Sequence, residues 1–355
     1  MAASIHNVFY LFIYMPQAIF KYDYPFTLES GISLPQLVIA YHTYGTLNPQ
    51  GDNVIWVCHA LTASSDVADW WPHTVETDRF LDPDRHFIIC ANILGSHYGT
   101  TGPLHTNPDS GQPYYADFPT ITIRDMAAAH QLLADHLGIK HITALIGSSL
   151  GGFQALEWAI ANPTFIEKLV LIATAPKASP WAIAFDQTQR MAIFADKSFG
   201  QPHPEAGTDG LAAARAIALL SYRGESGYNI TQQDPDDVLR PAEAHRASTY
   251  QIHQGQKLKN RFNAYSYVSI LNSFDSHDVG RNRGGVPQAL KLISAKTLTV
   301  GISTDLLFTT TDMKSLNSMI RDSRYYEIDS PFGHDGFLVE HQQLNNILYP
   351  FINEL

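Results

Sequence analysis

Residues 141–161 read HITALIGSSLGGFQALEWAIA, and this stretch decides the fold. His141 to Gly147 is an apolar run of strand length, and Gly151 to Ala161 has the spacing of a helix. Between them, Gly147-Ser148-Ser149-Leu150-Gly151 satisfies G-x-S-x-G. At average glycine and serine frequencies such a match arises by chance in roughly one chain in ten of this length. Its placement carries more weight than the match itself. A strand runs into it and a helix leaves it, so Ser149 would stand on a sharp strand-to-helix turn. The glycines let the backbone turn tightly and let neighbouring elements approach. The backbone N–H of Leu150, at the helix start, would point toward a developing oxyanion. A plain strand–turn–helix with a glycine-rich corner reads the same way, so the rest of the chain must separate the two.

Working outward, Asn53 to His59, Phe87 to Ile93 and Glu167 to Ala173 are further apolar runs that read as buried strands. Asp125 to Leu137 has helical apolar spacing and stops at Gly138, a natural C-cap. Strands alternating with helices predict right-handed βαβ units and a mostly parallel α/β sheet covered on both faces. From about Pro176 to Leu292 the pattern changes to helical segments such as Trp181 to Phe194 and Leu211 to Tyr222, with no convincing strand. Polar or Pro/Gly-rich links at 200–207, 234–237 and 278–285 separate them. The sheet signal resumes at Ala295 to Ile302 and Arg324 to Ile328, before a closing helix near Gly336 to Phe351. The expected organisation is a core domain of residues 1–175 and 293–355, with a helical insertion at 176–292 placed as a lid. A structural or dimerising elaboration is the alternative.

Composition narrows the class. Of 355 residues, 45% are hydrophobic, enough to bury a large core, so disorder is excluded. Lys and Arg number 23 against 34 Asp and Glu, a formal charge of −11, and no basic block interrupts it. That argues against a nucleic-acid surface, and an anionic substrate would need local groups to hold it against the overall field. Cys58 and Cys90 are the two cysteines, with no CxxC, as expected of buried thiols in a reducing compartment. The apolar run Val8 to Met15 (VFYLFIYM) is far short of the roughly 20 residues that cross a membrane. It lacks the basic n-region and cleavage site of a signal peptide. A cytoplasmic protein is expected, with this segment packed on the surface or with translation starting at Met15. The 16 histidines show no HExxH or close ligand cluster, so no metal is expected.

A serine nucleophile needs a base, and the base needs an orienting acid. In the α/β-hydrolase arrangement they follow in the order serine, acid, histidine, each just after a strand. Asp305, in Ser303-Thr304-Asp305, follows the strand Ala295 to Ile302. His334, in Phe332-Gly333-His334-Asp335, follows the strand Arg324 to Ile328. The second oxyanion donor should come from the loop after an early strand, which makes the N–H of Leu61 in His59-Ala60-Leu61-Thr62 the candidate beside that of Leu150. His59 reads as a loop-shaping residue.

Several stretches together resemble the homoserine O-acetyltransferase family, an acyltransferase branch of the α/β-hydrolase fold. They are VCHALTAS (57–64), LGSHYGTTGPLHTNPDSGQPY (94–114), FPTITIRDM (118–126), IGSSLGGFQALEWA (146–159), STDLLF (303–308) and DSPFGHDGFL (329–338). The resemblance runs from about Tyr41 to the C-terminus and weakens in the helical insertion. It implies Ser149, Asp305 and His334 as the triad, Arg215 and Tyr222 as a substrate-binding pair, and Asp335 as a further substrate contact. It also implies acetyl-CoA as co-substrate, L-homoserine as acceptor, no cofactor, a homodimer, and a step of methionine biosynthesis. The family's Gly-Gly-Ser-Met-Gly-Gly elbow is here Gly147-Ser148-Ser149-Leu150-Gly151-Gly152, a mild change because the donor at Leu150 is backbone. Homoserine is zwitterionic, so an Arg fork can take its carboxylate while a carboxylate takes its ammonium.

A succinyl donor or a serine acceptor fits the same motifs, since one methylene is worth only about 1–3 kcal/mol of discrimination. An esterase or thioesterase using water, and a non-catalytic binding protein on this fold, are the other readings. Arg215 with Asp335 speaks against the first, and the intact serine, acid and histidine set against the second.

Overall fold

The computed structural model describes residues 17–354, so the run Val8–Met15 lies outside the described residues. Eight strands form one sheet: β1 (Ala18–Tyr22), β2 (Leu37–Tyr44), β3 (Val54–Cys58), β4 (Phe87–Ala91), β5 (Ile142–Ser148), β6 (Ile166–Ile172), β7 (Lys296–Ile302) and β8 (Ser323–Ile328). Their spatial order is β1-β2-β4-β3-β5-β6-β7-β8. The pairings β1–β2 and β2–β4 are antiparallel, and all the others are parallel. This is the α/β-hydrolase fold.

The central strands are buried along nearly their whole length because helices cover both faces. Alternate residues divide between two cores: Val54, Trp56 and Cys58 join one cluster, Ile55 and Val57 the other. On the first face α1 (Ile123–His136) and α2 (Leu150–Ala161) pack together, and Trp158 meets Trp56 edge-on with ring centroids 4.8 Å apart. Helix α1 begins two residues before its expected start, at a capping box in which Thr122 and Asp125 satisfy each other's backbone N–H groups. Gly138 follows it at φ +70°.

Strands β1 and β2 were not expected. They alternate buried and half-exposed positions on an antiparallel edge, a weaker signal than the continuous apolar runs of the centre.

Between residues 176 and 292 the chain is helical: α3 (Pro180–Ala195), α4 (Thr208–Tyr222), α5 (Glu225–Gln232), α6 (Arg246–Lys259) and α7 (Ala264–Asp275). Helices α5 and α6 lie in polar sequence with no clear periodic signal, whereas α7 is mostly apolar and buried. The closing helix is broken at Glu340 into Gly336–Val339 and His341–Asn353, rather than running on. Within the described residues no helix is long and apolar enough to cross a membrane.

The return from these helices is bound to the sheet layer by charge. Glu157 of α2, with its side chain 2% exposed, accepts from Arg124 Nε at 3.2 Å and from Arg283 Nη1 at 2.6 Å. Arg124 also donates to the carbonyls of Asp278 and Arg281, and both Arg124 and Arg281 reach Glu29. A buried carboxylate between two cations is tolerable because both its oxygens are satisfied. Glu157→Gln keeps the shape, removes the charge and one acceptor, and is expected to cost about 1–3 kcal/mol in urea unfolding, with Glu29→Gln costing less because water reaches it.

Candidate active site

Ser149 sits where β5 turns into α2, at φ 54° and ψ −125°. A non-glycine residue held there is strained, and the surroundings show what holds it. A Cβ on Gly151 would lie 2.0 Å from the carbonyl oxygen of Cys58, at the end of β3. One on Gly147 would lie 2.3 Å from the carbonyl oxygen of Gly151, and one on Gly152 would strike the Thr174 side chain. Thr174 Oγ1 in turn donates to the Ser149 carbonyl at 2.9 Å. The glycines therefore let three segments close around the turn, and the closure fixes the serine above the carboxyl edge of the parallel strands. Ser148 is different: it is the last residue of β5, paired with Ile172, with its hydroxyl buried and unpartnered.

Asp305 follows β7, and its Oδ1 accepts from the backbone N–H groups of Leu307 (2.7 Å) and Phe308 (3.0 Å). Those bonds leave Oδ2 to accept from Nδ1 of His334 at 2.8 Å. His334 lies in the loop after β8, held by Gly333 N–H donating to Thr304 Oγ1 on the Asp305 loop. Gly333 has φ +64°, and a Cβ there would lie 2.4 Å from the backbone nitrogen of Gly224, so the corner after α4 seats directly on this loop. Burial opposes the charged form of His334. The charge and hydrogen bond of Asp305, with the charge of Asp335, outweigh it and hold the imidazole above its ordinary value. Both Ser149 and His334 line one cavity of about 150 Å³, with no direct hydrogen bond between them among the described residues.

Leu61, Arg215, Tyr222 and Asp335 line that same cavity. Leu61 is in the turn after β3, and Leu150 is the first residue of α2, where an N–H has no intrahelical partner. His59 spends both ring nitrogens on backbone, Nδ1 donating to the Ala60 carbonyl and Nε2 accepting from Ile93 N–H. Burial pulls its pKa down to about 4, so it is neutral and structural. The Arg215 guanidinium stands 5.6 Å from the Tyr222 ring centroid, and that ring lies 5.8 Å from the His334 ring.

Asp335 occupies the N-cap position of Gly336–Val339 but makes no capping hydrogen bond. Its Oδ2 faces Arg223 Nε at 3.1 Å instead, an ion pair out of line for a hydrogen bond. Burial raises the Asp335 carboxyl, while Arg223, Arg215 and His334 pull it down. Two arginines escaped the sequence reading: Arg261, which lines the cavity, and Arg223, which pairs with its Asp335. Arg223 directly follows Tyr222, a proximity that could have flagged it. Arg261 stands in a polar stretch (KLKNRF) that offers no such signal.

A family model for the alpha/beta hydrolase fold matches residues 53–341, and with the strained serine turn it defines an enzyme of the α/β-hydrolase class. The chain is 46% identical over 345 residues to the homoserine O-acetyltransferase of Cyclobacterium marinum, covering 97% of each chain. Among solved structures, it is similar to homoserine O-acetyltransferase from Bacillus anthracis, with a TM-score of 0.90 at 24% identity over 96% of this chain and 98% of that one. It is also similar to esterase E22, with a TM-score of 0.88 at 25% identity over 96% and 100%. The chain belongs to the homoserine O-acetyltransferase family, a family of acyltransferases.

The His334 environment makes a test independent of any substrate. In an NMR titration its imidazole is expected to titrate above the ordinary 6.5. Asp305→Asn removes the charge and weakens the bond that do most to raise it, leaving the Asp335 charge against burial, so the midpoint should fall from its wild-type value.

Proposed function

We propose that this protein transfers the acetyl group of acetyl-CoA to the hydroxyl of L-homoserine through an acyl-enzyme on Ser149, in methionine biosynthesis. The observation that carries the reading is the pairing, in one cavity, of a serine–histidine set with an amino-acid clamp of opposite charges, Arg215 and Asp335. Full-length identity to homoserine O-acetyltransferases supports it.

The steps follow from the groups present. His334 Nε2 takes the proton of Ser149 as its Oγ attacks the thioester carbonyl, and the N–H groups of Leu61 and Leu150 receive the oxyanion. The tetrahedral intermediate collapses, the C–S bond breaks, and the thiolate of CoA leaves with the proton from His334. The homoserine hydroxyl then gives its proton to His334 and attacks the acyl carbon, and Ser149 recovers its proton as the ester product departs. Asp305 keeps the imidazole oriented and stabilises its cation in both halves. Arg215 takes the acceptor's carboxylate, and Asp335, assisted by the Tyr222 hydroxyl, takes its ammonium. The side chains and backbone amides supply every step, so no cofactor is invoked.

An acyl-enzyme that must wait for an alcohol has to be shielded from water. We assign that role to residues 176–292 as a lid on a core of 1–175 and 293–355. The apolar side chains exposed on these helices, such as Met191, Phe194 and Ile252, fit the homodimer implied by the family. A cytoplasmic location agrees with two free, buried cysteines.

The likeness to an esterase makes hydrolysis the competing outcome. Thiol release from acetyl-CoA with and without L-homoserine separates the two: homoserine-dependent release with O-acetylhomoserine as product is expected, and release indifferent to homoserine would favour the hydrolase. Ser149→Ala should abolish release. Asp305→Asn should lower kcat by roughly 10³–10⁴. Because His334 must be neutral to act as base and its pKa is raised, the rate should climb with pH through a limb lying above 6.5 and fall below it.

A further inference from the structure

The cavity holds more positive charge than the clamp requires. Arg215 and Arg261 both line it, and neither has a carboxylate within ion-pair distance among the described residues, whereas neighbouring Arg223 is paired with Asp335. Arg261 lies just after α6, exposed at the rim, and is held in place. Its Nη1 donates to the Thr62 carbonyl at 2.7 Å and to the Tyr98 hydroxyl, and its Nη2 makes a long contact of 3.5 Å to Thr62 Oγ1. A guanidinium has five N–H donors, so Nε and one hydrogen of Nη2 remain free. The Tyr98 phenol is raised by burial and lowered by both Arg261 and Arg215, which places the two cations around one side chain. Two guanidiniums without ion-pair partners lining one cavity repel, and an anion entering that cavity relieves the repulsion.

We propose that Arg261 is a second carboxylate anchor of this cavity, a positioning residue acting beside Arg215. The assignment rests on the acyl-transfer reading above. The phosphates of CoA are set back from the acyl carbon by the pantetheine arm, so we take the anion to be one carried by the reacting groups themselves. An extended pantetheine arm is about 15 Å long, comparable to four or five extended residues, and Arg261 shares a cavity of about 150 Å³ with Ser149. Within reach are the α-carboxylate of the acceptor and the distal carboxylate of a dicarboxylic acyl group. They share one chemistry, a planar anion matched by a guanidinium fork.

The test compares Arg261→Gln and Arg261→Lys with the wild type, varying L-homoserine against L-homoserine amide and acetyl-CoA against succinyl-CoA. With the acceptor as source, Arg261→Gln raises KM for L-homoserine by roughly tenfold or more, shrinks the preference for homoserine over its amide, and leaves the first burst of CoA release from acetyl-CoA within about threefold. Arg261→Lys recovers part of the loss. With the acyl group as source, the loss falls on succinyl-CoA and spares acetyl-CoA. An equal fall with every donor and acceptor, burst included, would overturn the proposal and leave Arg261 as a prop for the Thr62 loop. So would unchanged kinetics. A wild type that transfers nothing to homoserine would instead defeat the functional reading. Calorimetric binding of L-homoserine and of succinate to Ser149→Ala, with and without Arg261→Gln, still shows whether Arg261 holds a carboxylate, because it needs no turnover. Loss of binding on adding Arg261→Gln supports the anchor, and equal or absent binding in both overturns it.

Discussion

The site depends on how closely three backbone segments approach at the serine turn. Gly151 lies against the carbonyl of Cys58, Gly147 against Gly151, and Gly152 against Thr174, each at a distance that no side chain allows. That closeness has two consequences. It forces Ser149 into a left-handed conformation that the chain would otherwise avoid, and it brings the end of β3 beside the start of α2. The turn that carries Leu61 is thereby brought toward Leu150 at the start of α2, and their N–H groups are the proposed oxyanion donors. An oxyanion site built this way needs little reorganisation when charge develops.

The electrostatics of the cavity are built outward from the same edge. His334 is buried, which disfavours its cation, and Asp305 restores it through charge and a hydrogen bond. Asp305 can play that part because Leu307 and Phe308 satisfy its other oxygen. Asp335, next in sequence, turns from the helix it might have capped toward Arg223. With Arg215 and Arg261 lining the same cavity, it presents a carboxylate and guanidiniums without an ion-pair partner to whatever enters. In a chain of net charge −11, this local reversal of sign gives an anionic group a reason to bind here.

The helical insertion is tied to this chemistry at several points. Its return strap is held through Glu157, Arg124 and Arg283, and the corner after α4 rests on the His334 loop through Gly224 and Gly333. Arg215, Tyr222, Arg223 and Arg261 all belong to this insertion, while Ser149, Asp305 and His334 belong to the sheet. A movement of one layer against the other would shift Arg215, Tyr222 and Arg261 without displacing the nucleophile.

The sequence by itself determined the parallel centre of the sheet, the serine turn, and the order of acid and histidine behind it. These are local signals: continuous apolar runs for strands covered on both faces, and glycines where backbones touch. The antiparallel edge β1–β2 and helices α5 and α6 were less legible, because half-exposed elements mix polar residues into their pattern. Motif matching could mark Arg215, Tyr222 and Asp335, but only the tertiary structure decided which other charges meet them. Arg223 and Arg261 are ordinary surface residues in sequence. What joins them to the site is long-range packing, which sets residue 261 against residues 62 and 98 and residue 223 against residue 335. No local pattern encodes that juxtaposition, since it depends on where two distant layers come to rest.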